Sequence, residues 1–479
     1  LRTKLEEIQE GTIDKIKSLH LPPKGHIVEQ QRMDFYLDRA AQTRLSQRTA
    51  RDKGLSNNEM DVYVEALDAL FYDVDEYISQ DILTRDSFGK EFEVPPAMRE
   101  RIWSKINKSS SPGFPFADYP TNEDVGIVTA FEAVEEQLRK WWQYQDIQRH
   151  EQFKNSDREE RCRMLLRLGL APPASSFIKG EPTSKTKVAR VIYGTSLITN
   201  IISVMCYGGF LDGLKDTWDV SDHKVGLDMY TEEGLKKFET YLRDLFKDQE
   251  TGERARVMSS DVQGWEYQVR EWMFMKRIRA YCHAMDGNYY FHKWLISYSA
   301  FIEIHTCVID SAGYVHCLPF YITFSGKRDT HFGNSFDRAA LARLDEDEPV
   351  DYAVACTNGD DCLNKFVKPL NEPRISDRLG FVITDREEQT LEKFNFCSQE
   401  FTLGEDGHLM RRPESIAKIA YNFLSSQDSQ LSDIVLALNW PEAIHALYEV
   451  KKEIDLKLGN SSKSGVSAFQ APNEAQTNS

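Results

Sequence analysis

The sequence predicts an α+β fold, and three observations carry that expectation. Apolar residues recur at helical spacing through residues 1–100, through 200–250 and again from Pro413 to about Leu458. Between these stretches, short apolar runs alternate with clusters of Gly, Asn, Asp and Ser, the pattern of strands joined by tight turns. The 479 residues, 41% hydrophobic and 28% charged, suffice to bury a large core divided among two or three subdomains.

Taken in order, the first hundred residues carry two apolar stripes. Leu5, Ile8, Ile13 and Ile16 form one, and Val62, Val64, Leu67, Leu70 and Phe71 the other; both read as packing helices. Ser109-Ser110-Ser111-Pro112-Gly113-Phe114-Pro115-Phe116 then makes a rigid turn with two aromatics, either a linker or a loop pressed against a ligand. From Lys154 to Arg190, nine Lys or Arg stand against four Asp or Glu. Gly180 and Pro182 oppose a long helix there, so Lys179, Lys185, Lys187 and Arg190 are expected on a loop or ribbon entering a Val188–Ile192 strand. Such a strip suits phosphate, and a solvated basic face has the same composition.

Leu197 to Leu211 is the most apolar run and is expected to be too short to span a bilayer. Leu235, Phe238, Leu242 and Leu245 mark a helix. A strand from Arg256 to Ser260 ends at Asp261, before Gly264-Trp265-Glu266 and a helix striped by Val269, Trp272, Met273, Ile278 and Tyr281. Strand ends of open sheets often carry site carboxylates, and an isolated Asp there is as often a helix cap. A hairpin is expected from Ile302–Ile309 to Tyr314–Tyr321. Ser325-Gly326 then leads through Thr330 and Asn334 into a helix at Ala339–Leu344. A small hydroxyl and a glycine before a helix can cradle a phosphate or a sugar. His331 reads as a polar loop residue, with no partner at metal-ligand spacing.

Two apolar runs, Tyr352–Cys356 and Cys362–Val367, flank Asn358-Gly359, the strongest short-range hairpin signal. That hairpin lifts Asp360 and Asp361 to its tip, where two like charges ask for a cation, usually a divalent metal. A Gly-Asp-Asp tripeptide arises by chance in roughly one chain in ten of this length, so the pair needs support from elsewhere. Leu379–Thr384 reads as a further strand, Phe394–Ser398 with Phe401–Leu403 as a second hairpin, and Gly459–Ser479 as a disordered tail.

The charge is −17, from 59 basic and 76 acidic residues. This excludes a protein coated in positive charge but allows a basic channel within an acidic exterior. Eight cysteines show neither CxxC nor zinc-ligand spacing, which points to reduced thiols in a cytosolic setting. The sequence opens at Leu1, with neither an initiator Met nor a signal peptide, and reads as a mature product cut from a precursor or a trimmed chain.

If Asp261 and the Asp360–Asp361 pair lie on neighbouring strands, they form the open carboxylate cluster that holds two magnesium ions in phosphoryl transfer. The order of basic strip, Asp261, Ser-Gly loop, double-Asp hairpin and second hairpin resembles the motifs of a viral RNA-dependent RNA polymerase over roughly residues 109–423. Motif F resembles Lys179–Arg190, motif A Asp261 with Glu266, and motif B Ser325-Gly326 with Thr330 and Asn334. Motif C resembles Gly359-Asp360-Asp361 and motif E Phe396-Cys397-Ser398. The Gly-Trp of motif A, Asn334-Ser335 with Arg338, and the Phe-Cys-Ser hairpin look most like polymerases of sobemovirus, polerovirus and barnavirus type. The Ser-Pro-Gly-Phe-Pro turn and the basic strip also resemble picornaviral polymerases.

The resemblance implies a right-hand polymerase with a ferredoxin-like, antiparallel-sheet palm. Residues 1–110 would be an N-terminal helical extension with fingertips, 111–205 fingers, 206–285 the first part of the palm and 286–318 a fingers insertion. The palm would resume over 319–400, the thumb span 401–458 and a tail 459–479. Asp261 and Asp360, supported by Asp361, would hold two Mg2+ or Mn2+ ions. Lys179, Lys187 and Arg190 would contact the triphosphate, with Glu181 ordering the strip. Glu266, Ser325, Thr330 and Asn334 would read the ribose. Lys185, Gly326, Phe396, Cys397 and Ser398 would meet the RNA.

Implied partners are RNA template and primer, ribonucleoside triphosphates, a viral protein primer and other replication proteins. The implied place is a replication complex in host cytoplasm, reached without a transmembrane segment. Two departures stand out. Glu266 occupies a position where the family usually has Asp. Thr384-Asp385-Arg386-Glu387-Glu388 offers Arg386 where motif D usually offers a Lys as general acid, with Lys393 nearby. Reverse transcriptases share the palm but favour an aromatic gate near Glu266 and an aromatic before the Asp pair. A non-catalytic RNA binder would use the basic strip and leave the acidic cluster unexplained.

Overall fold

The computed structural model describes residues 2–49, 55–71, 92–249, 251–285, 290–346, 353–369, 371–425 and 438–461. The fold is mixed α and β, 52% helix and 14% strand, so helices supply most of the packing and small sheets hold the special residues.

Helices α1 (Arg2–Ile8) and α2 (Thr12–Ser18) turn the first stripe toward the opposite end of the chain. Leu5, Ile8, Ile13 and Ile16 pack with Ile416, Ala420 and Phe423 of α15 (Ala417–Ser425) and its approach, and with Leu447 and Val450 of α16 (Pro441–Ser461). Gln9 seals the contact, donating to the Glu414 carbonyl at 3.0 Å and accepting from the Ile416 N–H at 3.0 Å. Strand β1 (Leu19–His20) then pairs antiparallel with β3 (Thr183–Ser184). In α3 (His26–Thr49), Tyr36 lies flat on Tyr267, with ring centroids 5.1 Å apart. Helix α4 (Asn57–Ala69) starts at a Ser56–Glu59 capping box, which satisfies two otherwise orphaned N–H groups.

Helices α5 (Pro96–Ser104), α6 (Ile127–Gln143) and α7 (Arg158–Arg167) lead to a mixed sheet of order β4-β2-β6-β7. Its strands are β2 (Ala174–Ile178), β4 (Val191–Gly194), β6 (Val308–Ile309) and β7 (Val315–His316). After α8 (Leu197–Leu214) and α9 (Glu232–Leu245) comes the sheet that matters most, with order β10-β5-β9-β8 and every pair antiparallel. It comprises β5 (Val257–Val262), β8 (Ala355–Asn358), β9 (Asp361–Lys365) and β10 (Ile383–Gln389). Side chains alternate across it. Cys356 and Leu363 face Phe238, Leu242 and Leu245 of α9, whereas Ala355 and Cys362 meet Ala342 of α13 (Thr330–Glu346). The extended segment at Asp222–Lys224 covers the β8 edge, with the Thr357 N–H donating to the Asp222 carbonyl.

A third sheet, β11 (Lys393–Phe396), β12 (Gln399–Leu403) and β13 (Leu409–Pro413), closes the α9 side. Phe394 stacks on Phe401 at 4.9 Å, and Phe238 sits against both. Truncating a phenylalanine so placed costs about 3–5 kcal/mol. Between β5 and β8 run α10 (Trp265–Gln268), α11 (Glu271–Ala284) and α12 (Tyr290–Ile304), and α14 (Ile375–Arg378) precedes β10.

Several expectations shift. Ile302–Ile304 end helix α12, so the hairpin there is only Val308–Ile309 with Val315–His316. An apolar β-branched run reads alike as strand or buried helix. Leu379 and Phe381 are buried in the largest core after α14, and the strand begins later, at Ile383. Asp261 lies within β5 rather than past its end. Helical structure from Leu197 continues to Thr217, long and apolar enough to cross a membrane by length and composition, which corrects the expectation that it is too short. Its residues are the centre of the largest core. Helix α16 continues past Leu458 to Ser461, and residues 462–479 of the expected tail lie outside the described residues.

Candidate active site

The site is assembled by strand register. Antiparallel pairing sets Ser260 opposite Cys362, one residue short of Asp261 and Asp361 on the two strands. Asn358 pairs with Asp361 across a two-residue turn of Gly359 and Asp360. Gly359 has φ of 70°, and Asp360 has no positive φ, the pattern of a II′ turn. The turn therefore sits one residue later than Asn358-Gly359 suggests, and Asn358 belongs to the strand. Three carboxylates are thus gathered at one end of two adjacent strands.

Their charges feel one another. Burial, then the Asp360 and Asp261 carboxylates, push the Asp361 carboxyl up to about 6, while Arg190 pulls the other way. Glu266, half-buried on the first turn of α10, is raised by burial and by Asp360 and lowered by Arg190 and Lys179. The basic strip and the acidic cluster are therefore neighbours in space. Oxygen-only donors suit a hard cation. Among the described residues no three His, Cys, Asp or Glu side chains converge tightly enough to cage an ion unaided. Any ion held here would have to take most of its coordination from water or phosphate oxygens, as Mg2+ can, and the residues that would supply the remaining oxygens are Asp261, Asp360 and Asp361.

The strip is ordered by its own backbone. The Lys179 N–H donates to the Arg190 carbonyl at 2.9 Å, and Lys179 Nζ pairs with Glu181 at 2.8 Å. Lys185 and Lys187 are exposed on the turn between β3 and β4. The Ser-Pro-Gly-Phe-Pro turn meets the start of α8, its Pro112 carbonyl accepting from the Leu197 N–H at 2.8 Å. Phe114 is exposed there and Phe116 is buried.

The Ser325-Gly326 loop docks on β4. The Gly326 N–H donates to the Tyr193 carbonyl at 2.9 Å, and the Tyr193 N–H to Ser325 Oγ at 3.3 Å. A Cβ on Gly326 would stand 2.8 Å from Gly194 Cα, so only glycine allows this approach. Behind the loop Lys327 is buried, 2.6 Å from Glu303 and 3.0 Å from Asp329, and Arg277 links Asp329 to Asp337. Thr330 opens α13, its hydroxyl donating to the Phe324 carbonyl. The Asn334 amide oxygen is buried with no hydrogen-bond partner, an acceptor awaiting a donor.

Helix α13 also grips the hairpin. His331 Nε2 donates to Asn358 Oδ1 at 2.8 Å, and Thr357 Oγ1 donates to the Ser335 carbonyl at 2.8 Å. His331 is helical, not a free loop residue, and its partner is 27 residues away, a link that no local signal announces. The β11–β12 turn approaches from the other side, where Asn358 Nδ2 donates to Cys397 Sγ at 3.2 Å. Phe396 points into the α9 core, whereas Ser398 is exposed on the turn. Arg386 is paired with Asp377 and Lys393 with Glu400, both outside the carboxylate cluster. Compared with known proteins, the sequence matches no family model, and no curated protein matches it either.

Proposed function

We propose that this chain is an RNA-dependent RNA polymerase of right-hand architecture, with β10-β5-β9-β8 as the palm sheet, the helices and sheet around β2 as fingers, and α15–α16 as thumb. The observation that carries the reading is the β5–β9 register, which ends one residue short of Asp261 and Asp361 and leaves them close enough to feel each other's charge beside the Asp360 turn, with Arg190 and Lys179 within electrostatic reach.

Magnesium or manganese ions bound at these carboxylates would activate an RNA 3′-hydroxyl and steady the departing pyrophosphate. The chain's own residues do the rest by placement and charge. Lys179 and Arg190 bind the triphosphate of the incoming ribonucleotide, with the exposed Lys187 as a further cation on the same strip. Asn334, an acceptor without a partner, takes the ribose 2′-hydroxyl, and Glu266, which feels the Asp360 charge, is the second candidate for reading the sugar. Ser325 and Thr330 shape the loop beneath the sugar, and the Cys397-Ser398 turn presses the primer strand toward the hairpin. The buried Phe396 contributes by fixing that turn rather than by touching RNA.

The test is template-directed incorporation of labelled ribonucleotides on homopolymer RNA with magnesium or manganese, comparing wild type with Asp360→Ala. Incorporation lost in the variant and with chelator supports the reading. Incorporation that persists in the variant sinks it.

A further inference from the structure

We propose that His331, Asn358 and Cys397 are positioning residues, a one-way hydrogen-bond relay that couples the first turn of α13 to the Asp361 carboxylate. The inference rests on the polymerase reading for its purpose, though not for its geometry. Asn358 Oδ1 accepts from His331, which fixes the imidazole as the tautomer carrying its proton on Nε2. The same amide donates through Nδ2 to Cys397 Sγ. Asn358 is paired across the hairpin with Asp361, so the thiol that accepts from Asn358 has its S–H left to turn to the Asp361 carboxylate, whose charge it feels. Each link donates in the same sense, so the links polarise one another toward the carboxylate.

The backbone at the third link supports this. Cys397 and Ser398 have φ of 52° and 57°, the left-handed region that a two-residue I′ turn demands and that Asn-Gly would fill with less strain. Holding two L side chains there costs about 1 kcal/mol or more apiece and persists where the surroundings over-determine it. A thiol at the first turn position is what reaches both Asn358 and Asp361. Asn334 sits one turn along the same helix from His331, so a sugar engaged at Asn334 acts on the helix turn that begins the relay. Outer partners of this kind orient a ligand carboxylate and tune its affinity for metal.

The test uses the whole chain with His331→Leu, Asn358→Leu, the double variant, Cys397→Ala and Cys397→Ser, each checked for an unchanged circular dichroism spectrum. Two readouts are independent of catalysis: Mn2+ affinity by calorimetry and the rate of Cys397 alkylation by iodoacetamide, read by mass spectrometry. The relay predicts that Asn358→Leu weakens Mn2+ binding about 10-fold and speeds alkylation about fivefold. The double variant should be no worse than Asn358→Leu alone, the non-additivity of residues acting in series. Serine keeps a donor and an acceptor, so Cys397→Ser should hold Mn2+ better than Cys397→Ala does. Additive losses, or Mn2+ affinity and alkylation unchanged in Asn358→Leu, overturn the relay. Should these effects appear while wild type incorporates no ribonucleotide, the relay stands and the polymerase reading falls. Should wild type extend RNA while both readouts stay flat, the relay alone falls.

Discussion

Ser335 Oγ accepts the Gly359 N–H at 2.7 Å and donates to the His331 carbonyl at 2.8 Å, so α13 holds the tip of the carboxylate hairpin by its backbone. Ser335→Ala leaves that buried N–H without a partner, at a cost of about 1–3 kcal/mol. Urea denaturation should show the loss, and ribonucleotide incorporation should fall with it even at temperatures where the variant is fully folded.

Gly326→Ala forces a Cβ to 2.8 Å from Gly194 Cα and 3.2 Å from the Tyr193 carbonyl, both backbone atoms. The loop must lift off β4 by a fraction of an ångström to an ångström. Misplacement on that scale costs about 100-fold in rate. Single-nucleotide incorporation should show it, with the melting temperature little changed because the loop is exposed.

Lys327 sits between Glu303 and Asp329 with almost no access to water. Lys327→Met strips one partner from a buried charge cluster, and the expected destabilisation is about 3–5 kcal/mol. Chemical denaturation would measure it. Adding Glu303→Gln should return part of the loss, because one of the stranded charges is then gone.

Asn334→Ala removes the unpartnered acceptor assigned to the 2′-hydroxyl. Discrimination between ribo- and deoxyribonucleoside triphosphates should fall about 10-fold or more, measured as a ratio of kcat/KM values. An unchanged ratio would move ribose selection to Glu266.

His223 is buried, and burial followed by the adjacent Lys224 charge pushes its imidazole down to about 3. Its unfolded value is about 6.5. Between these limits the unfolded chain binds more protons than the folded one, so stability is lost as pH falls below about 6.5, by up to about 1.4 kcal/mol per pH unit. His305, lowered to about 4 mainly by burial, acts in the same sense. Urea unfolding of wild type and His223→Gln between pH 7.5 and 5 should give a shallower pH slope for the variant.

Much of the site is visible in the sequence because its signals are local. Asn358-Gly359 between apolar runs announces the hairpin, and Gly180 with Pro182 places the basic strip on a ribbon. What escapes is tertiary. Asn358 is drawn into the strand because its amide is engaged on both sides, by His331 and by Cys397, which moves the turn by one residue. Strand β13 is hidden because Arg411 and Arg412 look like surface, yet Arg411 is buried and donates to the Met229 carbonyl at 3.0 Å. The Lys327 cluster is invisible for the same reason: a lysine beside an arginine and an aspartate reads as a solvated loop until α11, α12 and α13 enclose it.

The packing of Leu5 against Leu447 and Val450 also orders events during synthesis. Helix α1 leaves the ribosome long before its partners, and Gln9 waits 405 residues for Glu414. Throughout that interval the stripe lacks the α15–α16 surface that buries it in the folded protein. These segments can join only once the Pro441–Ser461 helix has emerged. Interrupting translation before that point should give a product that is chaperone-bound or aggregated rather than merely shortened.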